Sequence, residues 1–179
     1  MKKTNICLVA GILLLASYVS AQTLISTALS SINGQYILVY AYNASASPAW
    51  VSYNPYALSP GSNSLNYTSV QWGYWVKVNA SSATLNVTGT QPSSTAIGLV
   101  SGWNLIGYPK TTTQLLSTTL SGINGQYILV YGYNASASPA WVSYNPYALS
   151  PGSNSLNYSI AGYGYWVKVN ASSATLTVT

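Results

Sequence analysis

The chain has 179 residues, five Lys and no Arg, Asp, Glu or His. Proton transfer near neutral pH mostly uses His, carboxylates, Cys or a tuned Lys, so only one Cys and five Lys remain for such work. A Ser-His-Asp or Cys-His triad, a carboxylate pair and ordinary Zn, Ca or Mg sites lack their residues, and the expectation is no enzyme, no metal and no cofactor.

Residues 1–21 read as a signal peptide. Lys2 and Lys3 form a basic start, Ile6 to Val19 is apolar, and Val19-Ser20-Ala21 is a small-residue cleavage site. The apolar run has 14 residues, short of the about 20 that a spanning helix needs. Cys7 leaves with this leader, so the mature chain has no thiol to form disulfides. The expected product is secreted, extracellular or at the cell surface, with no membrane segment after cleavage.

Three lysines remain, Lys77, Lys110 and Lys168. They are too sparse to track a phosphate backbone, so nucleic acid is not an expected partner. With 3% charged and 49% hydrophobic residues, the surface must consist of Ser, Thr, Asn, Gln and Tyr. Little charge repulsion then keeps copies apart.

An internal repeat with an offset of 91 dominates the mature chain. Residues 32–67 and 123–158 match except for Ala41 against Gly132, and 73–85 matches 164–176 fully. The first repeat unit covers 22–88 and the second 89–179. The second opens with a segment, 96–109, that includes Gly102-Trp103-Asn104-Leu105-Ile106-Gly107-Tyr108-Pro109 and reads as a strand through Trp103, Leu105, Ile106 and Tyr108. Nothing corresponds to it before the first copy.

In chain order, Leu24, Ile25, Ala28, Leu29 and Ile32 form one helical stripe, and Asn33-Gly34 supplies its stop. Tyr36 to Asn43 is a strand apolar on both faces, hence central. Trp50 to Tyr53 is a second strand, ended by Asn54-Pro55, and a long loop follows to Ser64. Gly73 to Val78 and Thr84 to Val87 read as strands joined by a turn at Ala80-Ser81-Ser82. The second copy repeats the plan. The fold class expected is mainly β: two tandem small sandwich-like or open-barrel-like domains, each with one short helix.

The motifs "GWNLIGYP", "AW..YNP" and "GYWVKV" resemble a recurrent, often tandem β-rich module of secreted and cell-surface proteins of archaea and bacteria. The resemblance spans 96–179, and 24–88 without the opening motif. It implies surface exposure and no particular activity.

Seven Asn-X-Ser/Thr sites, at Asn43, Asn66, Asn79, Asn86, Asn134, Asn157 and Asn170, are candidates for covalent N-glycans. Trp50, Tyr53 and Tyr56, with Trp141, Tyr144 and Tyr147, are candidates for a subunit interface or a sugar-stacking platform. Because the first copy lacks the opening strand, the leading expectation is a structural subunit of an extracellular filament or surface layer. It would polymerise head-to-tail with itself by β-strand complementation. The alternative is a monomeric adhesin or carbohydrate-binding module that uses the Trp/Tyr surface.

Overall fold

The computed structural model describes residues 9–11, 22–87 and 90–179. Lys2, Lys3, Cys7 and the cleavage site Val19-Ser20-Ala21 lie outside the described residues. The chain is mainly antiparallel β with two short helices. The strands are β1 (Val9–Gly11), β2 (Thr23–Leu24), β3 (Tyr36–Tyr42), β4 (Trp50–Tyr53), β5 (Tyr67–Thr68), β6 (Gly73–Val78), β7 (Thr95–Gly107), β8 (Gln114–Leu115), β9 (Tyr127–Tyr133), β10 (Trp141–Tyr144), β11 (Tyr158–Ser159) and β12 (Gly164–Val178). The helices are α1 (Ile25–Ala28) and α2 (Leu116–Thr119), each continued by a turn of 3₁₀ helix.

Two four-stranded sheets form, one from the second repeat and one from the first repeat completed by β1, which precedes it. The orders are β1-β6-β3-β4 and β10-β9-β12-β7, with two-stranded ribbons β2-β5 and β8-β11 beside them. The helical stripe buries Ile25, Leu29 and Ile32 against Val39, Tyr74 and Val76. Its repeat buries Leu116, Leu120 and Ile123 against Val130, Tyr165 and Val167. Gly34 and Gly125 end these helical segments at φ of +77° and +78°, a left-handed conformation that only Gly adopts freely.

The two copies part company at their last strand. The turn expected at Ala171-Ser172-Ser173, the equivalent of Ala80-Ser81-Ser82, is instead a bulge inside one continuous strand, β12, between Val169 and Ser173. Beyond the bulge, Ser173–Val178 pairs with Val100–Thr95 of β7. In the first copy, 79–87 forms no strand, so the expected strand at Thr84 to Val87 is absent. The physical reason is the partner. A strand needs a neighbour for its backbone groups, and no described segment plays the part of Thr95–Val100 there.

Burial follows pairing. Ala174, Leu176 and Val178 are buried in a core that also holds Ile97 and Leu99 of β7. Their repeat mates Ala83, Leu85 and Val87 are only half-buried at the margin of the first core.

Candidate functional site: an aromatic cleft and an incomplete first core

Alternation along the strands sorts the side chains onto two faces. Val39, Ala41, Val76 and Val78 turn to the first core, which leaves Tyr40, Tyr42, Trp75 and Lys77 on the opposite face. The second sheet does the same with Tyr131, Tyr133, Trp166 and Lys168. These two outer faces meet. Trp75 packs on Tyr133 and Trp141, with ring centroids 5.1 and 5.6 Å away. Trp166 packs on Tyr42 and Trp50 at 5.2 and 5.8 Å. Position 166 is position 75 advanced by 91, and the partners are related in the same way, so the contact is that of a pseudo-twofold pair.

One residue breaks the symmetry. Trp103 stands on β7 opposite Lys168 and stacks on Tyr131 at 5.7 Å with the planes 27° apart. It meets Trp166 edge-on at 6.3 Å. The Lys168 ammonium lies 5.6 Å from its ring centroid, a cation–π distance. Trp103 owes its position to a kink in β7. Gly102 has φ of +90°, and the buried Asn104 side chain donates to the carbonyls of Val100 and Gly102 while accepting the Val100 N–H. Tyr42, Trp103, Tyr131, Trp141 and Trp166 together line an open cavity of about 370 Å³. Trp141 keeps 47% of its surface exposed, so the rings are packed on one side and wet on the other.

The six aromatic candidates from the sequence separate. Trp50 and Trp141 join this assembly. Tyr53 and Tyr144 pack against the two cores on the opposite face. Burial, reinforced by Tyr53, pushes the Tyr36 hydroxyl up to about 12. Tyr56 and Tyr147 are exposed after the Asn-Pro turns. The residues that the sequence reading left out are Tyr42, Tyr131 and Trp166; period-two alternation from the core-facing Val39 and Val167 would have placed them.

The opening segment runs as a strand through Trp103, Leu105 and Ile106, and Tyr108 follows directly after it. Leu105–Gly107 pairs with Gly164–Trp166 on one side. On the other it reaches the first copy, where Gly107 N–H donates to the Gln71 carbonyl and Ile106 bridges to Trp72. The equivalent edge of the first sheet, Gly73–Trp75, carries Val9–Gly11 in the matching register.

Of the sequons, Asn66, Asn79, Asn86, Asn157 and Asn170 are exposed. Asn43 and Asn134 are half-buried, and their side-chain oxygens accept the N–H of Ser45 and Ser136. Among the described residues there is no cluster of His, Cys, Asp or Glu that could hold a metal, and no helix is long and apolar enough to cross a membrane.

No family model, curated protein or solved structure matches this chain.

Proposed function

We propose that the protein is a structural subunit of an extracellular filament or surface layer, joined to its neighbours by β-strand complementation. One observation carries the reading. Ala83, Leu85 and Val87 are half-buried where their repeat mates Ala174, Leu176 and Val178, paired beside β7, are buried. Fully burying a Leu or Val side chain is worth about 1.5–3 kcal/mol. A strand supplied by another copy would therefore recover several kcal/mol of apolar burial, and it would pair backbone groups along 79–87 as well.

The edge of β6 supports the same reading. It accepts Val9–Gly11, which belongs to the leader, in the register that β12 offers to Leu105–Gly107. Removal of the leader on export would leave the outer edge of Gly73–Trp75 without a partner strand, while β3 stays paired on the inner side, and an exposed edge is a template for another chain. The donated strand would come from one end of the chain, either Gln22 onward or Ala174 to Thr179; the latter is the more expensive to release, because five of its residues are paired with β7 and three of its side chains are buried in the second core. The segment from Gln22 onward is paired through Thr23–Leu24 and a Thr68 hydroxyl that donates to the Thr23 carbonyl, before Ile25 enters the first core. Seven sequons and a surface without carboxylates suit a glycosylated, exported subunit.

The test is size-exclusion and negative-stain microscopy of the exported protein, with intact mass on the same sample. Filaments, or a ladder of oligomers that survives mild detergent, are expected. A stable monomer of unmodified mature mass would overturn the proposal.

A further inference from the structure

We propose that the cleft between the two sheets is a binding site for a neutral oligosaccharide, at one site per chain. This inference is independent of strand exchange. It stands on the cavity lined by Tyr42, Trp103, Tyr131, Trp141 and Trp166.

The volume of about 370 Å³ falls within the range of small-ligand pockets, which are concave, mostly apolar and oriented by a few polar groups. The wall here is entirely Trp and Tyr, side chains with an apolar face and a polar tip. A pyranose ring is the matching object, with C–H faces that lie on indole and phenol rings and a rim of hydroxyls that stays wet. The wide mouth and the half-exposed Trp141 suit that rim. An acyl chain has no such need and gains most from an enclosed apolar tunnel.

Charge removes the other natural guest of an aromatic cage, a quaternary ammonium ion. The Lys168 ammonium already lies 5.6 Å from the centroid of the Trp103 ring, so a second cation on that ring would meet a like charge. No Asp or Glu exists anywhere in the chain to neutralise it. A hydroxyl oxygen, by contrast, can accept from the Lys168 ammonium. The same lack of carboxylates limits the hydrogen bonding of a sugar to amides, hydroxyls and this one amine, which points to binding by ring stacking.

The single-site stoichiometry follows from Trp103. It belongs to the opening segment that only the second copy has. Among the described residues, the matching edge of the first sheet carries only Val9–Gly11, which pair where Leu105–Gly107 pair in the second, so no repeat mate of Trp103 stands there. The pseudo-twofold mate of the cleft, around Trp50 and Trp75, therefore has no third indole to stack on.

The experiment is a titration of the exported protein with neutral hexaoses of the cellulose, chitin, mannan and xylan types, followed by tryptophan emission and calorimetry. Tetramethylammonium is run in parallel as the rival guest. The expected result is saturable one-to-one binding of at least one hexaose. Trp103→Ala should weaken it about tenfold or more, and Trp103→Phe, which restores a ring, should recover part of the loss. Trp141→Ala, at a more exposed position, provides a second variant should Trp103→Ala fail to fold. Absence of binding by every hexaose would overturn the proposal. Binding that survives both substitutions to Ala, or tighter binding of tetramethylammonium, would overturn it equally.

Discussion

Trp75 lies with its ring centroid 5.6 Å from Trp141, and its repeat mate Trp166 lies 5.8 Å from Trp50, the repeat mate of Trp141. The two contacts are the same contact made twice, in opposite senses. An interface of that kind closes on itself. The aromatic faces of the two sheets are thus spent within one chain, and growth into a polymer has to use another surface. On the proposed function, the β6 edge and the half-buried Ala83, Leu85 and Val87 would be that surface.

The paired indoles should be energetically coupled. Aromatic pairs add about 0.5–1.5 kcal/mol beyond their buried area. A double-mutant cycle with Trp75→Ala and Trp141→Ala, measured by urea unfolding, should show a coupling of about 1 kcal/mol. The mirrored cycle with Trp166→Ala and Trp50→Ala should give a similar value. Strict additivity in both cycles would mean that the rings merely lie near each other.

Gly107 sits at the junction between the copies and should not tolerate a methyl group. A Cβ at Gly107 would stand 2.7 Å from the Trp72 carbonyl oxygen and 3.0 Å from that of Val70. Both obstacles are backbone, so strands must move, at a loss of about 1–3 kcal/mol for Gly107→Ala. Gly132→Ala is the control. Its Cβ would meet only side-chain atoms, the nearest at 3.3 Å, and the first copy already has a buried Ala41 at the equivalent position. That variant should unfold within about 0.5 kcal/mol of the parent.

How far the sequence foretold this arrangement depends on the element. The repeat, both helices and the strands through Tyr36 and Trp50 were legible from periodicity and β-branched content. The apolar character of both faces of Tyr36 to Tyr42 was also legible, but not its cause. One face is a core, and the other is an interface with the second copy, a matter of topology that a single strand does not encode. Residues 79–87 and 170–178 are nearly identical in sequence yet differ in structure, because only one of them has a strand beside it. The kink at Gly102-Trp103-Asn104 left no signal beyond the Gly and Asn themselves, since its staple is a side chain that bonds to carbonyls of its own strand.

Stability should be flat in acid and fall in alkali. The chain has no Asp, Glu or His to titrate below neutrality, apart from the terminal carboxyl. Burial pushes Tyr36 and Tyr165 up to about 12, and raises Tyr74 and Tyr127 further. These hydroxyls keep their protons in the folded chain after they lose them in the unfolded one, near pH 10. Above that pH the folded state binds more protons, so unfolding becomes easier with each added unit. The melting temperature should vary little from pH 2 to 8 and drop steeply from pH 10 to 12. A transition in the acid range would contradict this.

Glycan occupancy should follow exposure. Asn66, Asn79, Asn86, Asn157 and Asn170 offer open amides, whereas Asn43 and Asn134 are half-buried and engaged by Ser45 and Ser136. Peptide mapping of protein from its own host should find sugar on some of the first five and none on the last two. Modification at Asn43 or Asn134 would show that the Asx turns open or form after attachment.

The decisive change is to give the first copy the strand it lacks. Residues 89–112 precede the second copy, and position 113 corresponds to position 22. A chain with 89–112 inserted directly ahead of Gln22 therefore presents Thr95–Gly107 to the first repeat as β7 is presented to the second. The inserted Leu-Ile-Gly would take the edge at Gly73–Trp75, and the inserted Ile and Leu of Ala96–Val100 would cover Leu85 and Val87. Burial of those side chains together with new strand pairing should raise stability by several kcal/mol. Because the acceptor is then filled from within, the variant should be monomeric under conditions in which the proposed function has the parent polymerise. Amide exchange at residues 79–87 should slow to resemble that at 170–178. A variant that gains stability yet still forms filaments would leave the strand edge as a stability element and move the polymer contact elsewhere on the molecule.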